Sequence, residues 1–553
     1  MSHCGCSQVV TSAALSCLGE YSHANNLAKR VVGLYLYATG AQRQSIHVLS
    51  TLGLSESYSN LITRNIYRKR NTSKHATKVS EPSAAEPSSG VVHRTGTLLQ
   101  LSESMREKTQ EIAATGLFGV VYDNINIDLR NAEQIVGRHG ASRHKSLLRC
   151  YLFHYFKDSQ ENGTCATVFP LHNAKEEDIK TEDLQTAFLN APDLKLSDII
   201  HTSEEAAIFK ENIIFTILRI IIRFGGDGFK KFESDLKKNQ PETKDKIKLH
   251  RTELYPLPPW HIDESTITGN AEVDQAIVKE LNLESIAEFW KRVRFMGGDQ
   301  LSLSRLRANE NIRAGQEENY FSLFFFALII GLFHAKIADV HGGLETHFGK
   351  SNTGARNPGS LSFHNTRLDR LPITLTSLPP FCVCRDLIFV SLYARVLHCL
   401  LLVSQCLSLD DYLIKHDSWD DLLSHVRQIE DKFANPSKVE EFRWQRTRSQ
   451  GKSTDGKTTE GDMVFENASL FLRDALISRE YAVKAGDSGR VLLVLKIWAL
   501  SFRGNGRTKY AYEMLHVIHN LTNVFPVGLI LNIHTLMMTL IKILVKLSSI
   551  TGY

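Results

Sequence analysis

Three acidic residues occupy positions where burial of a carboxylate would cost free energy, which suggests a functional role for them. Asp123 follows the apolar, strand-like run 118–122, and Asp299 follows the run 293–296 and two glycines. Glu513 lies in the helical pattern TKYAYEMLHVIHN, on the helix face that is expected to point towards the protein interior. Because sheet-based sites gather their functional groups at strand ends, these acids are candidates for one shared active site.

Carboxylates that converge on one point repel each other unless a cation compensates their charge. Their hard oxygen atoms favour Mg²⁺ or Mn²⁺, and two such ions about 4 Å apart would activate a water or a 3′-hydroxyl for phosphodiester chemistry. The chain has 60 acidic residues, so spacing alone does not single out this triad. The open alternatives are a turn-initiating Asp123 in DNIN and an Asp299 that caps a helix or forms an Asx-turn.

The composition predicts an ordinary intracellular globular protein. The 553 residues carry 65 Lys and Arg against 60 Asp and Glu, and this excess of +5 permits an anionic partner without requiring one. A hydrophobic fraction of 42% excludes a disordered chain. Nine scattered cysteines are too few for a disulfide framework and predict a reducing compartment, nuclear or cytoplasmic. We identify no signal peptide, because the sequence does not open on a basic stretch followed by an apolar run.

The N-terminal segment 1–70 contains the pattern of a small helical unit from residue 24 onwards. Two predicted helices are joined by a short turn containing Gly53, with Ser55 as the cap of the second helix, which is the helix-turn-helix pattern. The second helix is expected to end in a basic cluster suited to phosphate contacts: Arg64, Arg68, Lys69 and Arg70. An ordinary helical hairpin with a solvated basic end is the alternative.

The rest of the chain divides by composition and periodicity. The segments are, in order, a flexible linker (71–110), the first part of an α/β core (111–343) with a helical insertion (157–250), a helical insertion with a basic loop (344–461), a helical C-terminal part of the core (462–525) and an apolar tail (526–553). The basic loop, 443–461, has two interpretations. It binds a nucleic-acid backbone through its cations and through stacking on Trp444, or it is a disordered charged segment. The runs 117–129 and 292–303 predict strands, the second followed by a turn and a further strand or helix.

The tail contains an apolar segment, 526–550, that is long enough to cross a bilayer. It also carries His534, Lys542 and Lys546, and lysines inside a span are costly. An amphipathic or buried helix is therefore the preferred interpretation, and a membrane partner is not expected. A tail anchor is the alternative.

A compact basic turn precedes Glu513. Arg503, Arg507 and Lys509 surround Gly504-Asn-Gly506. A phosphate-facing loop beside a metal site has this composition, and so do many solvated turns. Both interpretations stay open.

Two smaller signals favour structural roles. The Cys-x-Cys pair at Cys382 and Cys384 is expected on a strand, without the turn that a zinc knuckle needs, so buried cysteines are favoured over a zinc site with Cys399 and Cys406. In Gly486-Asp-Ser-Gly, Asp487 or Ser488 is predicted to cap the following helix, because the Walker lysine of a phosphate loop is missing.

The run GDSGRVLLVLKIWALSFRGNGRTKYAYEMLHVIHNL (486–521) resembles the C-terminal block of a domain of unknown function that is widespread in fungal proteins and associated with mobile elements. Further blocks of that family follow in a fixed order from about residue 25 to 525: GLYLYATGAQRQSIHVLSTLGLSESY, YDNINI, LPPWHIDESTITGN, GGDQLSLSRLRA, GLFHAKIA, NPGSLSFHN and ENASLFLRDAL.

The layout of that family is similar to that of cut-and-paste transposases with a ribonuclease H-like fold. The resemblance implies that Asp123, Asp299 and Glu513 bind Mg²⁺ or Mn²⁺ and that His334 positions or protonates a phosphate. It also implies a DNA partner. After Phe525 the sequence departs from the family pattern, which implies a shortened or altered end and puts activity in doubt.

Together these patterns predict an α/β protein, mostly helical, with a ribonuclease H-like core, large helical insertions and an N-terminal helix-turn-helix-like unit. The expected function is that of a transposase-derived DNA-binding protein with metal-dependent strand cleavage and transfer. DNA and a second copy of the chain, in a homo-oligomer, are the expected partners. The alternatives are a catalytically inactive relative that only binds DNA or another partner, and a tail-anchored membrane protein.

Overall fold

A computed structural model describes a large part of the chain. The described residues are 27–39, 41–52, 54–62, 66–69, 91–94, 96–128, 160–247, 250–313, 315, 320–350, 356–450, 460–479 and 486–530. Most of them are helical, and five strands form a small mixed sheet, so the predicted α/β class is confirmed in this coarse form. The ribonuclease H-like core and the helix-turn-helix unit stay predictions.

The first half of the chain contains these elements in order: α1 (Leu27–Ala38), α2 (Arg43–Thr51), α3 (Tyr58–Ile62), β1 (Ile66–Lys69), β2 (Val91–Arg94), α4 (Thr97–Ala114), β3 (Phe118–Asp128), β4 (Gln160–Pro170), α5 (Thr181–Asn190), α6 (Leu196–Ile199), α7 (Ser203–Phe224), α8 (Glu233–Lys238), β5 (Tyr255–Pro256) and α9 (Ile267–Glu280).

The second half contains the remaining elements: β6 (Arg294–Gly298), α10 (Gln300–Ile312), β7 (Phe326–Ile330), α11 (Leu332–His347), α12 (Leu361–Arg367), α13 (Phe381–Ser404), α14 (Leu409–Lys415), α15 (Trp419–Ile429), α16 (Pro436–Gln450), α17 (Glu460–Arg479), α18 (Ser488–Gly504) and α19 (Thr508–His519). The sheet order is β5-β4-β3-β6-β7.

The chain divides into two compact units. Unit 1 comprises Met1–Thr115, Asp123–Val168 and Tyr255–Ala287. Unit 2 comprises Gly116–Tyr122, Phe169–Leu254 and Glu288–Tyr553.

Unit 2 holds the parallel strands. The first half of β3 pairs with β6, with Val120 opposite Met296, and β6 pairs along its whole length with β7. All five residues of β6 are buried, as expected for a parallel strand covered on both faces. Helix α10 connects β6 to β7, so the sequence 292–303 is a strand, a tight turn and a helix, which is one of its two predicted forms.

The helices of unit 2 pack around α13. This helix contacts α7, α11, α15 and α17, while α18 and α19 form a tightly packed helical hairpin. Within the described part of the chain, α13 alone is long and apolar enough to cross a membrane, by length and composition only. The predicted tail lies outside the described residues from residue 531 onwards.

Unit 1 contains a small core at the N-terminal helices. Tyr37, Ile46 and Leu61 form this core, and Leu98 of α4 packs against it. The predicted linker 71–110 is therefore wrong for its last part, because α4 is a regular helix held by that apolar contact.

The helix predicted to carry the basic cluster is shorter than expected. It ends at Ile62, and residues 66–69 instead form β1, which pairs antiparallel with β2. Ser57, and not Ser55, accepts the capping bond, from the backbone N–H of Asn60. Arg68 and Lys69 thus lie in a strand, and Arg64 and Arg70 lie outside the described residues.

The predicted helical insertion, 157–250, contains β4 near its start and helices from residue 181 onwards. Two further local predictions are wrong. The supposed loop from residue 443 is helical as far as Gln450, where the end of α16 lies. Cys382 and Cys384 lie in the first turn of α13 and not on a strand, because Pro380 can precede a helix but cannot pair within a sheet.

Candidate functional site

Asp299 caps the helix that follows β6. Its Oδ1 accepts hydrogen bonds from the backbone N–H and the hydroxyl of Ser302, both at 2.7 Å. An N-cap of this kind typically contributes about 1 kcal/mol to stability. The predicted alternative that Asp299 caps a helix is therefore confirmed, and Oδ1 is the atom that forms the cap.

Glu513 projects into the interior from α19, as its helical pattern predicts, and is 2% exposed. Its two oxygens accept from the two terminal nitrogens of Arg307 on α10, at 2.7 and 2.5 Å. A guanidinium fork satisfies a carboxylate with two parallel hydrogen bonds. The arrangement explains how a charged group is tolerated at this depth, and each oxygen of Glu513 already accepts one hydrogen bond from the guanidinium.

Asp299 and the Arg307–Glu513 ion pair lie at different heights on α10. Asp299 and Arg307 are eight positions apart in sequence, which corresponds to about 12 Å along a helix axis. The part of the chain that the structure describes has no group of three or more His, Cys, Asp or Glu side chains placed to hold a metal ion. The predicted metal triad of Asp123, Asp299 and Glu513 stays a prediction.

Two more titratable groups accompany the ion pair. Burial raises the pKa of Glu310, one turn beyond Arg307 on α10, to about 8, although the Arg307 charge opposes that shift. Burial also lowers the pKa of His516, one turn beyond Glu513 on α19, and Arg307 adds to the effect. A carboxyl with this pKa is mostly protonated at neutral pH, and the lowered pKa of His516 favours its neutral imidazole.

His334 follows β7 in the first turn of α11 and is partly buried. Its backbone N–H donates to the carbonyl of Gly331 at 3.1 Å, and its ring meets the Phe333 ring edge-on at 5.7 Å. His334 thus lies shortly after the end of a strand. The proposed contact of His334 with a phosphate stays a prediction.

Asp123 belongs to unit 1 and lies within β3, so it does not initiate a turn. Its Oδ1 accepts from the backbone N–H of Asn124 at 3.0 Å. Beside it, the pKa of Cys165 is raised to about 12, chiefly by burial and further by the charges of Asp123 and Glu264. Sequence reasoning missed Glu264, an acidic neighbour contributed by a distant segment.

The predicted basic turn joins α18 to α19. Arg507 donates to Glu345 of α11 at 2.9 Å, so its charge is compensated within the fold. Arg503 and Lys509 are exposed, and neither forms an ion pair within the described part of the chain. Two cations of the turn, Arg503 and Lys509, are therefore exposed to solvent, whereas Arg507 links the turn to α11.

The cysteines fit a structural role. Cys384, Cys399 and Cys406 are buried, and Cys382 is exposed. Burial raises the pKa of Cys384 to about 11 and that of Cys399 to about 12. These groups remain thiols at neutral pH, whereas zinc binds thiolates.

Asp487 caps α18, as predicted, by accepting from the backbone N–H of Arg490 at 3.1 Å. It also accepts from the backbone N–H and, through a short hydrogen bond, from the hydroxyl of Thr243. Since Asp487 is fully buried, this contact fastens the segment around Thr243 to the start of α18. The long sequence separation hides such a contact from local pattern analysis.

A cleft of about 540 Å³ lies at α15 and is lined in part by Lys210, Arg427 and Asp420. Lys210 is already paired with Glu430, and Arg427 is paired with Glu211. The cleft is open and its cations are compensated, so it offers no convergent set of groups for a ligand.

The fold and these groups define a mostly helical α/β protein with a small mixed sheet and a buried Arg–Glu ion pair between two helices. The chain belongs to a family of unknown function (DUF6589), whose family model matches residues 188–539. The match continues past Phe525, where the sequence was expected to depart from the family, and it leaves out the predicted resemblance over 25–187. Neither the curated proteins nor the solved structures contain a match to this chain.

Proposed function

We propose that this chain is a nucleic-acid-binding protein, derived from a transposase-like ancestor, that acts by binding and does not cleave strands. The observation that carries the proposal is the Arg307–Glu513 ion pair. In the predicted metal triad Glu513 would bind the metal ion, and here a cation would compete with the guanidinium of Arg307, from which both Glu513 oxygens accept hydrogen bonds.

Binding is supported by the turn between α18 and α19. Arg503 and Lys509 are exposed there, and Arg507 is held by Glu345. Cations on a fixed turn contact phosphates without first losing backbone entropy, and each contact releases counterions from the nucleic acid. The sequence resemblance to transposases supplies the class of partner.

Binding is tested by fluorescence anisotropy of a labelled DNA with the full chain. The variant Arg503→Glu/Lys509→Glu is expected to weaken affinity at least about tenfold, because two phosphate contacts become repulsive. The matched control is Lys237→Glu/Lys244→Glu, which changes the net charge equally at exposed sites. Equal losses in both variants would mean that only net charge matters and would contradict a role for the turn.

Cleavage is tested on supercoiled DNA with Mg²⁺ or Mn²⁺. The proposal expects no nicks above those of the chain carrying Asp299→Asn. Metal-dependent nicking that disappears in both Asp123→Asn and Asp299→Asn would instead establish the metal-dependent transposase function.

A further inference from the structure

An exposed tyrosine lies beside the two free cations of the basic turn. Tyr512 on α19 is 65% exposed. Lys509 precedes it by three residues, which places the two side chains on the same face of the helix. Arg503 lies on the last turn of α18, on the other side of the Gly504-Asn-Gly506 turn.

The orientation of α19 is fixed by its opposite face. Ala511, Met514 and Ile518 are buried there, together with Glu513 in its ion pair. Tyr512 therefore cannot turn inwards without the whole helix rotating. Its neighbour Tyr510 has a different environment, since its ring packs 5.8 Å from that of the buried Phe502.

The backbone of the turn is open to approach. A Cβ atom built on Gly504 or on Gly506 would meet no atom within 4 Å. Glu345 forms an ion pair with Arg507 of this turn, so that its charge is neutralised. The surface thus combines two cations and one aromatic ring for which the described residues provide no ion pair or ring contact.

We infer that the α18–α19 hairpin binds single-stranded nucleic acid, with Tyr512 stacking on a base while Arg503 and Lys509 contact flanking phosphates. This inference rests on the proposed function and specifies its substrate. A ring needs the open face of an unstacked base, which a duplex does not offer and a single strand does. Stacking and phosphate contacts do not read base edges, so recognition by these three side chains would not depend on sequence.

The experiment measures anisotropy of the full chain with labelled oligothymidylate, oligouridylate and a duplex, each of about 20 nucleotides. Tyr512→Ala is expected to weaken single-strand affinity by about 5- to 100-fold, the range for loss of one base–aromatic stack. The ratio of single-strand to duplex affinity should fall accordingly. Tyr512→Phe, which keeps the ring, should bind single strands within about twofold of the unchanged chain. The two oligonucleotides separate DNA from RNA as the preferred source.

The outcomes are distinguishable. If the unchanged chain binds neither single strands nor duplex, the proposed function fails. If it binds nucleic acid and Tyr512→Ala leaves the single-strand to duplex ratio unaltered, this inference alone is overturned. An equal loss in Tyr512→Phe and Tyr512→Ala would also overturn it, because stacking would then not be the cause.

Discussion

Arg307 on α10 holds the carboxylate of Glu513 on α19 by a two-bonded guanidinium fork, although the two residues are 206 positions apart in sequence. Glu513 is nearly fully buried, whereas Arg307 is about one quarter exposed. The contact neutralises the most deeply buried acid of the predicted triad. It therefore bears on both the stability and the proposed chemistry of this chain.

Removal of the arginine should leave an uncompensated buried charge. Arg307→Met is expected to lower the free energy of unfolding by about 3–5 kcal/mol, the range for breaking one side of a buried ion pair. The double variant Arg307→Met/Glu513→Leu should recover most of that loss, since no charge remains buried. Urea denaturation of the three proteins measures this, and equal stability of the single and double variants would show that the pair is not electrostatically coupled.

The capping role of Asp299 predicts a difference between two substitutions. Asp299→Ala should lower stability by about 1 kcal/mol, because the N–H of Ser302 loses its acceptor. Asp299→Asn should remain close to the original protein, since an asparagine oxygen caps equally well. If Mg²⁺ stabilises the original protein against urea and does not stabilise Asp299→Asn, the residue acts instead as a metal ligand.

Glu310 should make stability depend on pH. Its pKa lies at about 8 in the folded chain against 4.5 for the ordinary group, so the folded state binds the extra proton between these values. The contribution of Glu310 is fully present below pH 4.5 and is lost as the pH rises through 8. Between pH 5 and 8 the original protein should therefore lose stability relative to Glu310→Gln, whose side chain does not titrate.

The difference in stability between the original protein and Glu310→Gln isolates the effect of Glu310, because both proteins contain the other titrating groups of the cluster. His516 contributes in the opposite direction, because its lowered pKa favours the neutral form in the fold as the pH rises. Parallel stability curves for the two proteins would mean that the carboxyl of Glu310 is ionised in the folded chain throughout this range.

Local patterns predicted those parts of the fold that depend on neighbouring residues. The run at β3, the strand, turn and helix around Asp299, and the cap at Asp487 were all visible in short windows. Strand β1 was not, because its pairing with β2 joins segments more than 20 residues apart and its sequence IYRK carries no alternation long enough to recognise.

The inward direction of Glu513 was also predictable, because apolar residues recur around it at helical spacing. Its partner was not. Arg307 lies in the polar-looking run SRLRANE, and only the tertiary contact of α10 with α19 brings the two together. One signal was present: Leu303 and Leu306 mark a buried face of α10, and Arg307 and Glu310 border it.

The salt dependence of nucleic-acid binding tests the central claim most directly. Anisotropy titrations of the full chain with labelled DNA, repeated over a range of salt concentrations, give the slope of log affinity against log salt. The replacement of Arg503 and Lys509 by alanine should reduce that slope by about 1.4–1.8, the value for two lost phosphate contacts. An unchanged slope, or no binding by the original protein, would contradict the account.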